Sequence, residues 1–416
     1  MRRAALLAAA AALAGCGGAH EDGAATPRPG TPATRADEAG TGDPLVHLRA
    51  LARIAGDSGG TRAAGTVGDR ATEEYVAGRL RAAGWKVTIL RFGVPFAEVR
   101  GRPVVRTRGG RLRSAPLQFT GRGDVTGRLR AIGSPGCTAG TYAGLRRGEI
   151  AIVPRGGCFL RDKALAAQRA GAAALLIRDE RLFHGTLQRP GARIPVLAVT
   201  DAAPSSGRAR VRVRAVSERR RSSNVVAELP GGAEDHVVMA GGHRDSVPAG
   251  PGINDNGSGI AAVLAAAERL AADPPPGAHL RVGFWGAEEI GLVGSRRYVE
   301  SLATAERRAI RAYVNLDMVG SPHPDRLVYD TDNAIERALR DHLAKAGETD
   351  LGGASDHASF AAEGIPVGGL FTGAGERQDP CYHRACDDLD NVDRKALNAM
   401  TDVLTAALED LATRAA

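Results

Sequence analysis

The stretch His236-Val237-Val238-Met239-Ala240-Gly241-Gly242-His243-Arg244-Asp245-Ser246 decides the fold. An apolar run of this length bounded by glycine reads as a buried strand, and its alternation-free pattern suits the interior of a sheet covered on both faces. It ends on a histidine. In open α/β sheets the carboxyl ends of strands are where ligand sites lie. The next segment, Pro251-Gly252-Ile253-Asn254-Asp255-Asn256-Gly257-Ser258-Gly259, is a glycine-rich loop that opens a helix over Ile260 to Ala271. The pattern then repeats. Leu280 to Trp285 is a second apolar run, ending at Gly286-Ala287-Glu288-Glu289, and Ala312 to Leu316 is a third, delivering Asp317. Strand, loop and helix in this order predict an α/β domain with a mixed, largely parallel sheet flanked by helices.

The residues at these strand ends share one chemistry. His243, Asp255, Glu289, Asp317 and, from the late loop Pro380-Cys381-Tyr382-His383-Arg384-Ala385-Cys386-Asp387-Asp388, His383 make two imidazoles and three carboxylates. Each alone has an ordinary structural explanation; five in order within one domain do not. Asp255 is a compact carboxylate able to bridge two ions, which would give each ion one histidine, one private carboxylate and the shared one. That set suits two zinc ions about 3.5 to 4 Å apart. Of the adjacent pair Glu288 and Glu289, one can hold metal while the other stays free as a general base. Asp245, two residues past His243, is placed to orient the imidazole, since a metal-bound histidine usually gives its other N–H to a carboxylate or carbonyl.

Around this core the 416-residue chain has other textures. Asp43 to Trp85 carries two helical stretches, the second from Gly68 to Ala83, followed by a strand over Lys86 to Arg91. Residues 93–217 are short β-like runs with many glycines and prolines, and read as a separate module. Within it Gly148 to Cys158, Lys163 to Ala170 and Gly171 to Ile177 read as strand, helix and strand. The run Arg208-Ala209-Arg210-Val211-Arg212-Val213-Arg214 alternates with period two, which puts valine on one face and arginine on the other, and reads as a solvated strand face in preference to a binding patch for acidic partners.

The opening Met1-Arg2-Arg3, an Ala/Leu run, and Leu13-Ala14-Gly15-Cys16 have the layout of an export signal. It resembles a bacterial lipoprotein signal with Cys16 as the lipidated residue. Residues 17–43, rich in Gly, Ala, Thr and Pro, are expected to be a disordered linker. Four cysteines remain after Cys16, an even number suited to two disulfides in an oxidising compartment.

Composition excludes several classes. The chain is 43% hydrophobic and 25% charged, with no apolar run after the first fifteen residues long enough to span a membrane. The net charge of +8 rests on arginine, with only four lysines, and acidic residues are interleaved. It reads as compositional bias and not as a nucleic-acid footprint. A serine hydrolase, a Walker-type nucleotide site and a His-Glu-x-x-His metalloprotease are excluded for want of their motifs.

Taken together, His-x-Asp-Ser, Gly-Ile-Asn-Asp-Asn-Gly-Ser-Gly, Ala-Glu-Glu-Ile-Gly-Leu-Val-Gly-Ser, Asn-Leu-Asp-Met-Val-Gly and Cys-Tyr-His-x-x-Cys-Asp resemble the secreted bacterial di-zinc aminopeptidases of the leucine-aminopeptidase type, peptidase family M28. The inserted module is similar to a protease-associated (PA) domain. The resemblance implies a zinc-exopeptidase fold in residues 44–92 and 218–416 with the PA domain at 93–217. It implies that His243, Asp255 and Glu289 hold one zinc and Asp255, Asp317 and His383 the other. Glu288 would be the general acid/base, Tyr382 a donor to the tetrahedral intermediate, and Cys137–Cys158 and Cys381–Cys386 the disulfides. The implied protein is exported, acts on peptide or protein N-termini, and touches membrane only through Cys16. Ser355-Asp356-His357 lies in a family-like segment without an assigned role. Arg244, where many relatives have an apolar residue or tyrosine, and the short stretch between Phe371 and Cys381 are expected to shape the substrate pocket. A carboxypeptidase of the same fold and a catalytically silent peptide-binding lipoprotein are the competing readings.

Overall fold

A computed structural model describes residues 42–414, so the signal, Cys16 and the linker up to residue 41 lie outside the described residues. The described residues include Gly42 and Asp43, the last two that the sequence reading assigns to the linker. Asp43 caps helix α1 (Pro44–Asp57), its carboxylate accepting the Leu45 N–H at 2.9 Å, with proline at the first helical position where its missing N–H costs nothing. Gly42 donates its N–H to Glu268. Thr66 caps α2 (Val67–Ala82), and Gly84, at φ 86°, follows its end in the left-handed conformation that only glycine adopts without strain. The pattern Gly-x-Ser-x-Gly does in fact occur, at Gly56 to Gly60. It forms the end of α1 and the turn after it, with Ser58 as the C-cap, and not a strand-to-helix elbow.

Strand β1 (Lys86–Val99) runs eight residues beyond the end expected from its apolar start. After it come β2 (Val104–Thr107), β3 (Gly110–Arg111), β4 (Ser114–Pro116), β5 (Gly123–Ala131), β6 (Ile150–Pro154), helix α3 (Leu160–Arg169), β7 (Ala174–Asp179), β8 (Val196–Thr200) and β9 (Arg208–Val213). These eight strands form their own sheet in the order β3-β2-β9-β5-β6-β7-β8-β4, with Cys137 joined to Cys158. The chain returns through β10 (Ala215–Glu228), which pairs with β1 antiparallel over fourteen residues from Lys86↔Glu228 to Val99↔Ala215. The boundaries expected at 92/93 and 217/218 therefore fall inside one two-stranded ribbon. Pairing with β10 is what extends β1 through a polar sequence, and the Arg220 guanidinium covers the Phe96 ring at 3.4 Å.

The second sheet continues with β11 (Ala233–His243), α4 (Gly259–Ala272), β12 (Ala278–Trp285), α5 (Val293–Ser301), α6 (Thr304–Ala309), β13 (Ile310–Leu316), β14 (Leu327–Tyr329), α7 (Ala334–His342), β15 (Gly347–Thr349), α8 (His357–Ala361), β16 (Val367–Phe371), α9 (Gly375–Gln378) and α10 (Arg394–Thr413). Its order is β1-β10-β12-β11-β13-β16-β14-β15, and the four central strands β12-β11-β13-β16 are parallel. One face packs on α1, α2, α4, α7 and α10; the alanine-rich α4 is buried on nearly every side between them. On the other face Trp285, Tyr298, Tyr313 and Phe360 form an aromatic cluster, with Tyr313 and Phe360 stacked at 3.7 Å. The parallel centre fixes the site. β12, β11 and β13 all point their carboxyl ends the same way, so the loops after Trp285, His243 and Leu316 emerge side by side.

Candidate metal centre

His243 is the last residue of β11 and is 1% exposed. Its Nε2 lies 3.2 Å from Asp255 Oδ1 and 3.3 Å from Asp317 Oδ1. The other oxygen of Asp255, Oδ2, lies 3.0 Å from His383 Nε2, which is also 3.2 Å from Glu289 Oε2. Two groups able to hold a metal ion result, His243 with Asp255 and Asp317, and Asp255 with Glu289 and His383, each with its donor atoms within 4.8 Å of one another. Asp255 belongs to both.

This grouping corrects the one implied by resemblance, which placed Glu289 with His243 and Asp317 with His383. Sheet order is the reason. β13 is the direct neighbour of β11, and His243 and Asp317 each stand two residues beyond the paired Gly241 and Asn315. Glu289 instead stands four residues past Trp285, the register partner of His243, after a turn in which Ala287 takes φ 63°. Non-glycine residues with positive φ recur around the cluster, at Met318 (φ 54°) after Asp317 and at His383 itself (φ 58°). Such strain is held only where surrounding structure over-determines it.

The residues fit cations. Glu289 Oε1 and Asp317 Oδ1 are buried without a hydrogen-bond partner, and four carboxylates face two imidazoles in one space that is buried except at His383. Uncompensated negative charge of that kind is costly without positive charge beside it. Glu288 reaches the cluster from the side, its Oε2 3.9 Å from His243 Nε2. Burial pushes its carboxyl up to about 10, against the pull of His243. Glu289 rises to about 7, again first through burial. His383, whose side chain is 41% exposed, opens the second group to solvent, and the Tyr382 ring stacks on it at 3.9 Å. Burial and then Asp255 raise the Tyr382 phenol, which stays a neutral donor.

Asp245 holds the His243 ring through its backbone carbonyl, 3.1 Å from Nδ1; its carboxylate stands 3.9 Å away and accepts the Glu288 N–H at 3.1 Å instead. Arg244 does not shape a substrate pocket. It is fully buried, with Nη1 on Asp69 Oδ1 at 2.5 Å and Nη2 on the Ser223 carbonyl at 2.8 Å, so it ties the end of β11 to α2 and β10. The stretch before Cys381 folds as the exposed α9 followed by buried Asp379. In the unassigned segment, Ser355 accepts from Asn315 at 2.9 Å and His357 meets the Gly352 carbonyl through Nε2. Asp356 is buried with both oxygens unpartnered, and burial lifts it to about 7.

Other residues that the sequence did not single out set the geometry. Asp387, just after the Cys381–Cys386 disulfide, accepts the Asn254 and Asp255 N–H groups at 2.8 and 3.0 Å. Asp379 accepts from Asn254 Nδ2 at 2.7 Å, and Asn391 donates to both aspartates. Asn256, joined to Asp255 by a cis peptide, bonds the Leu316 carbonyl and accepts the Gly259 and Met318 N–H groups. Arg62, 0% exposed, donates to the carbonyls of Pro251 (3.0 Å), Gly252 (2.5 Å) and Arg244. Gly252 cannot be replaced here, because at φ 63° a Cβ would stand 2.3 Å from the Asp255 carbonyl oxygen. The adjacency of Asp387 to Cys386 was a visible signal; nothing in the pattern around Arg62 marked it.

This arrangement has counterparts in known proteins. The probable lipoprotein aminopeptidase LpqL of Mycobacterium tuberculosis is 38% identical over 406 aligned positions, which cover 85% of this chain and 81% of the relative. The chain belongs to peptidase family M28. The M28 profile itself matches residues 224–408, which contain every ligand of the cluster, and the PA domain profile matches 125–204, within the separate β-rich sheet. Among solved structures, the aminopeptidase from Aneurinibacillus sp. strain AM-1 superposes with a TM-score of 0.66 at 26% identity, covering 89% of this chain and 94% of that one. A zinc aminopeptidase from Bacillus subtilis gives 0.65 at 25%, covering 88% and 94%. This M28 peptidase thus shares its two-part architecture, and not only its catalytic segment, with them.

Proposed function

We propose that this M28 peptidase is an exported zinc aminopeptidase that removes the first residue of peptides with a free N-terminus, preferring an apolar one. It holds two zinc ions, one on His243, Asp255 and Asp317 and one on Asp255, Glu289 and His383. The observation that carries the reading is Asp255, with one oxygen toward each histidine. The Mycobacterium relative is named an aminopeptidase and the Bacillus subtilis structure a zinc aminopeptidase, which supports the activity and the metal.

Two zinc ions, when bound, supply Lewis-acid charge that polarises a carbonyl and makes water acidic near neutral pH. Glu288, beside but outside both ligand groups, takes the proton of the attacking water and returns it to the leaving amine; cations in the cluster oppose the burial that otherwise keeps its carboxyl protonated. The Tyr382 hydroxyl donates to the developing oxyanion from the open side. The excess of carboxylates favours a substrate ammonium group. Of the arginines on or beside the ligand loops, Arg62 and Arg244 are buried and committed to backbone carbonyls and Asp69, and Arg384, next to His383, is paired with Glu376 at 2.8 Å, so none stands unpaired as a clamp for a C-terminal carboxylate. That argues against the carboxypeptidase reading.

Strands β2 to β9 make up the inserted module and the larger sheet with its helices the catalytic body, with β1 and β10 running through the boundaries expected at 92/93 and 217/218. The lipobox-like sequence and the lipoprotein name of the Mycobacterium relative support a lipid anchor at Cys16. The test is a substrate panel on the zinc-loaded protein: Leu-p-nitroanilide, its N-acetyl form and an N-blocked dipeptide with a free carboxyl end. The reading expects cleavage of the first alone; cleavage of the last would make the chain a carboxypeptidase.

A further inference from the structure

The net charge of +8 hides a division. Residues 93–217 contain 23 Lys and Arg against 7 Asp and Glu, a net of +16, so the remaining 291 residues carry −8. The preference for arginine over lysine runs through the whole chain and explains which cation is used. It does not explain why one module is strongly basic while the catalytic body is acidic.

The sheet concentrates that charge on one face. In the order β3-β2-β9-β5, Arg111 stands opposite Arg106, Arg106 opposite Arg210, and Arg208 opposite Arg128. Residues directly opposite share a face, so these five arginines form one patch, and all five are exposed. The alternate positions Val105, Leu129, Ala209, Val211 and Val213 are buried beneath it. The core needs only the valine face; nothing in the packing requires arginine on the other, and like charges placed directly opposite are destabilising. Only Arg210 has an acidic partner, Asp124 at 2.6 Å, while Arg111 bonds the Pro103 carbonyl. Among the described residues Arg106, Arg128 and Arg208 have none. The run Arg208 to Arg214 is a solvated strand face, as its alternation predicts; the neighbouring strands turn it into a patch.

We propose that this arginine face is a docking surface for anionic phospholipid headgroups of the membrane to which Cys16 tethers the chain. The choice of occupant rests on the lipid-anchor reading. The 26 Cα-to-Cα steps from Cys16 to Gly42 can span at most about 90 Å. A fold of this size is about 55 Å across. An anchored chain therefore can turn any face to the bilayer, and charge complementarity selects the basic one.

The test separates the patch from the anchor by using the chain from Gly17 onward, which keeps every described residue, in co-sedimentation with vesicles. Binding is expected to phosphatidylcholine vesicles containing phosphatidylglycerol, not to phosphatidylcholine alone, and to weaken with added salt. The triple variant Arg106→Ser, Arg128→Ser, Arg208→Ser should bind on the order of a hundredfold more weakly, at about fivefold per arginine. Its cleavage of Leu-p-nitroanilide should be unchanged, since no substituted residue touches the metal cluster, and its melting temperature should be no lower than that of the parent, since the substitutions remove like charges placed opposite one another. Equal binding to both vesicles, or a triple variant that binds like the parent, would overturn the proposal. So would capture of single-stranded DNA in preference to the anionic vesicles, which would make the face a site for soluble polyanions. Whether Cys16 is lipidated is read separately, from the mass of the mature protein, so the two readings fail independently.

Discussion

His243 Nε2 stands 3.3 Å from Asp317 Oδ1, although 74 positions separate the two residues in the chain. Adjacent parallel strands bring them together, each two residues past the last paired position of β11 and β13. The other half of the cluster comes from a loop, where His383 meets Glu289 at 3.2 Å. The two half-sites therefore differ in the elements that carry them as well as in ligands.

The grouping has a direct consequence for metal content. His243→Ala and Asp317→Ala should each empty the same zinc position, Glu289→Ala and His383→Ala the other, and Asp255→Ala should weaken both. Anomalous scattering from crystals of each variant reads which position is lost. Loss of the same ion in Glu289→Ala and His243→Ala would return the grouping to the one first implied by resemblance.

Glu288 makes no ligand group, so Glu288→Ala should keep both zinc ions while turnover falls by about 10²- to 10⁴-fold. Zinc per chain and initial rates on Leu-p-nitroanilide check this. A variant with near-normal rates would remove Glu288 from the proton transfer.

How much of this was legible in the sequence depends on what each residue answers to. Apolar runs that stop on His243, Asp317 or Glu288-Glu289 announce buried strands with polar ends, because burial of a strand and solvation of its terminus are local properties. The grouping of ligands was not legible, because the neighbour order β12-β11-β13 is set by crossovers and leaves no local mark. Arg244 was misread for a similar reason. Its partner Asp69 lies 175 residues away on α2, and a charged residue beside a ligand histidine looks solvent-facing until that partner is seen. The length of β1 was hidden because Arg91 to Val99 has too little apolar alternation of its own and owes its strand to β10.

Arg62 should prove structural in a specific place. Its guanidinium serves three carbonyls around the Asp255 loop, and burial lowers its pKa to about 10 without removing the charge. Arg62→Met leaves those carbonyls unpaired and should cost about 3 kcal/mol or more, read as a lowered midpoint in urea. Arg62→Lys should not restore the parent value, since an ammonium cannot reproduce the planar fork. Full recovery in the lysine variant would show that charge alone matters.

The disulfide Cys381–Cys386 closes the loop that carries Tyr382 and His383. In Cys381→Ser, Cys386→Ser the position held by Glu289 and His383 should lose zinc affinity by about 10- to 100-fold, the size seen when support of a ligand is removed. The position held by His243 and Asp317 should be little changed. Stepwise chelator titration distinguishes the two, and equal weakening of both would contradict the separate support of the two positions.

Glu268 gives a pH dependence away from the metals. It joins α4 to Arg79 of α2 at 2.6 Å, to His47 of α1 at 3.5 Å and to the Gly42 N–H, and these partners outweigh its burial to hold its carboxyl below the usual value. A depressed carboxylate adds stability above the unfolded pKa and loses it as pH falls through the folded one. Glu268→Gln should thus be less stable than the parent at pH 7, by about 2 kcal/mol. The difference should shrink below about pH 4, where the carboxylate of the parent is protonated as well. Urea midpoints across pH read it, and a constant difference would mean the charge is not involved.

The most direct test of the central claim is the rate of Leu-p-nitroanilide hydrolysis as zinc is returned to chelated protein. The account predicts no cleavage without metal, activity that saturates at two zinc ions per chain, and no cleavage of the N-acetylated substrate at any point. Full activity in the chelated protein, or release of p-nitroaniline from the acetylated substrate, would contradict it.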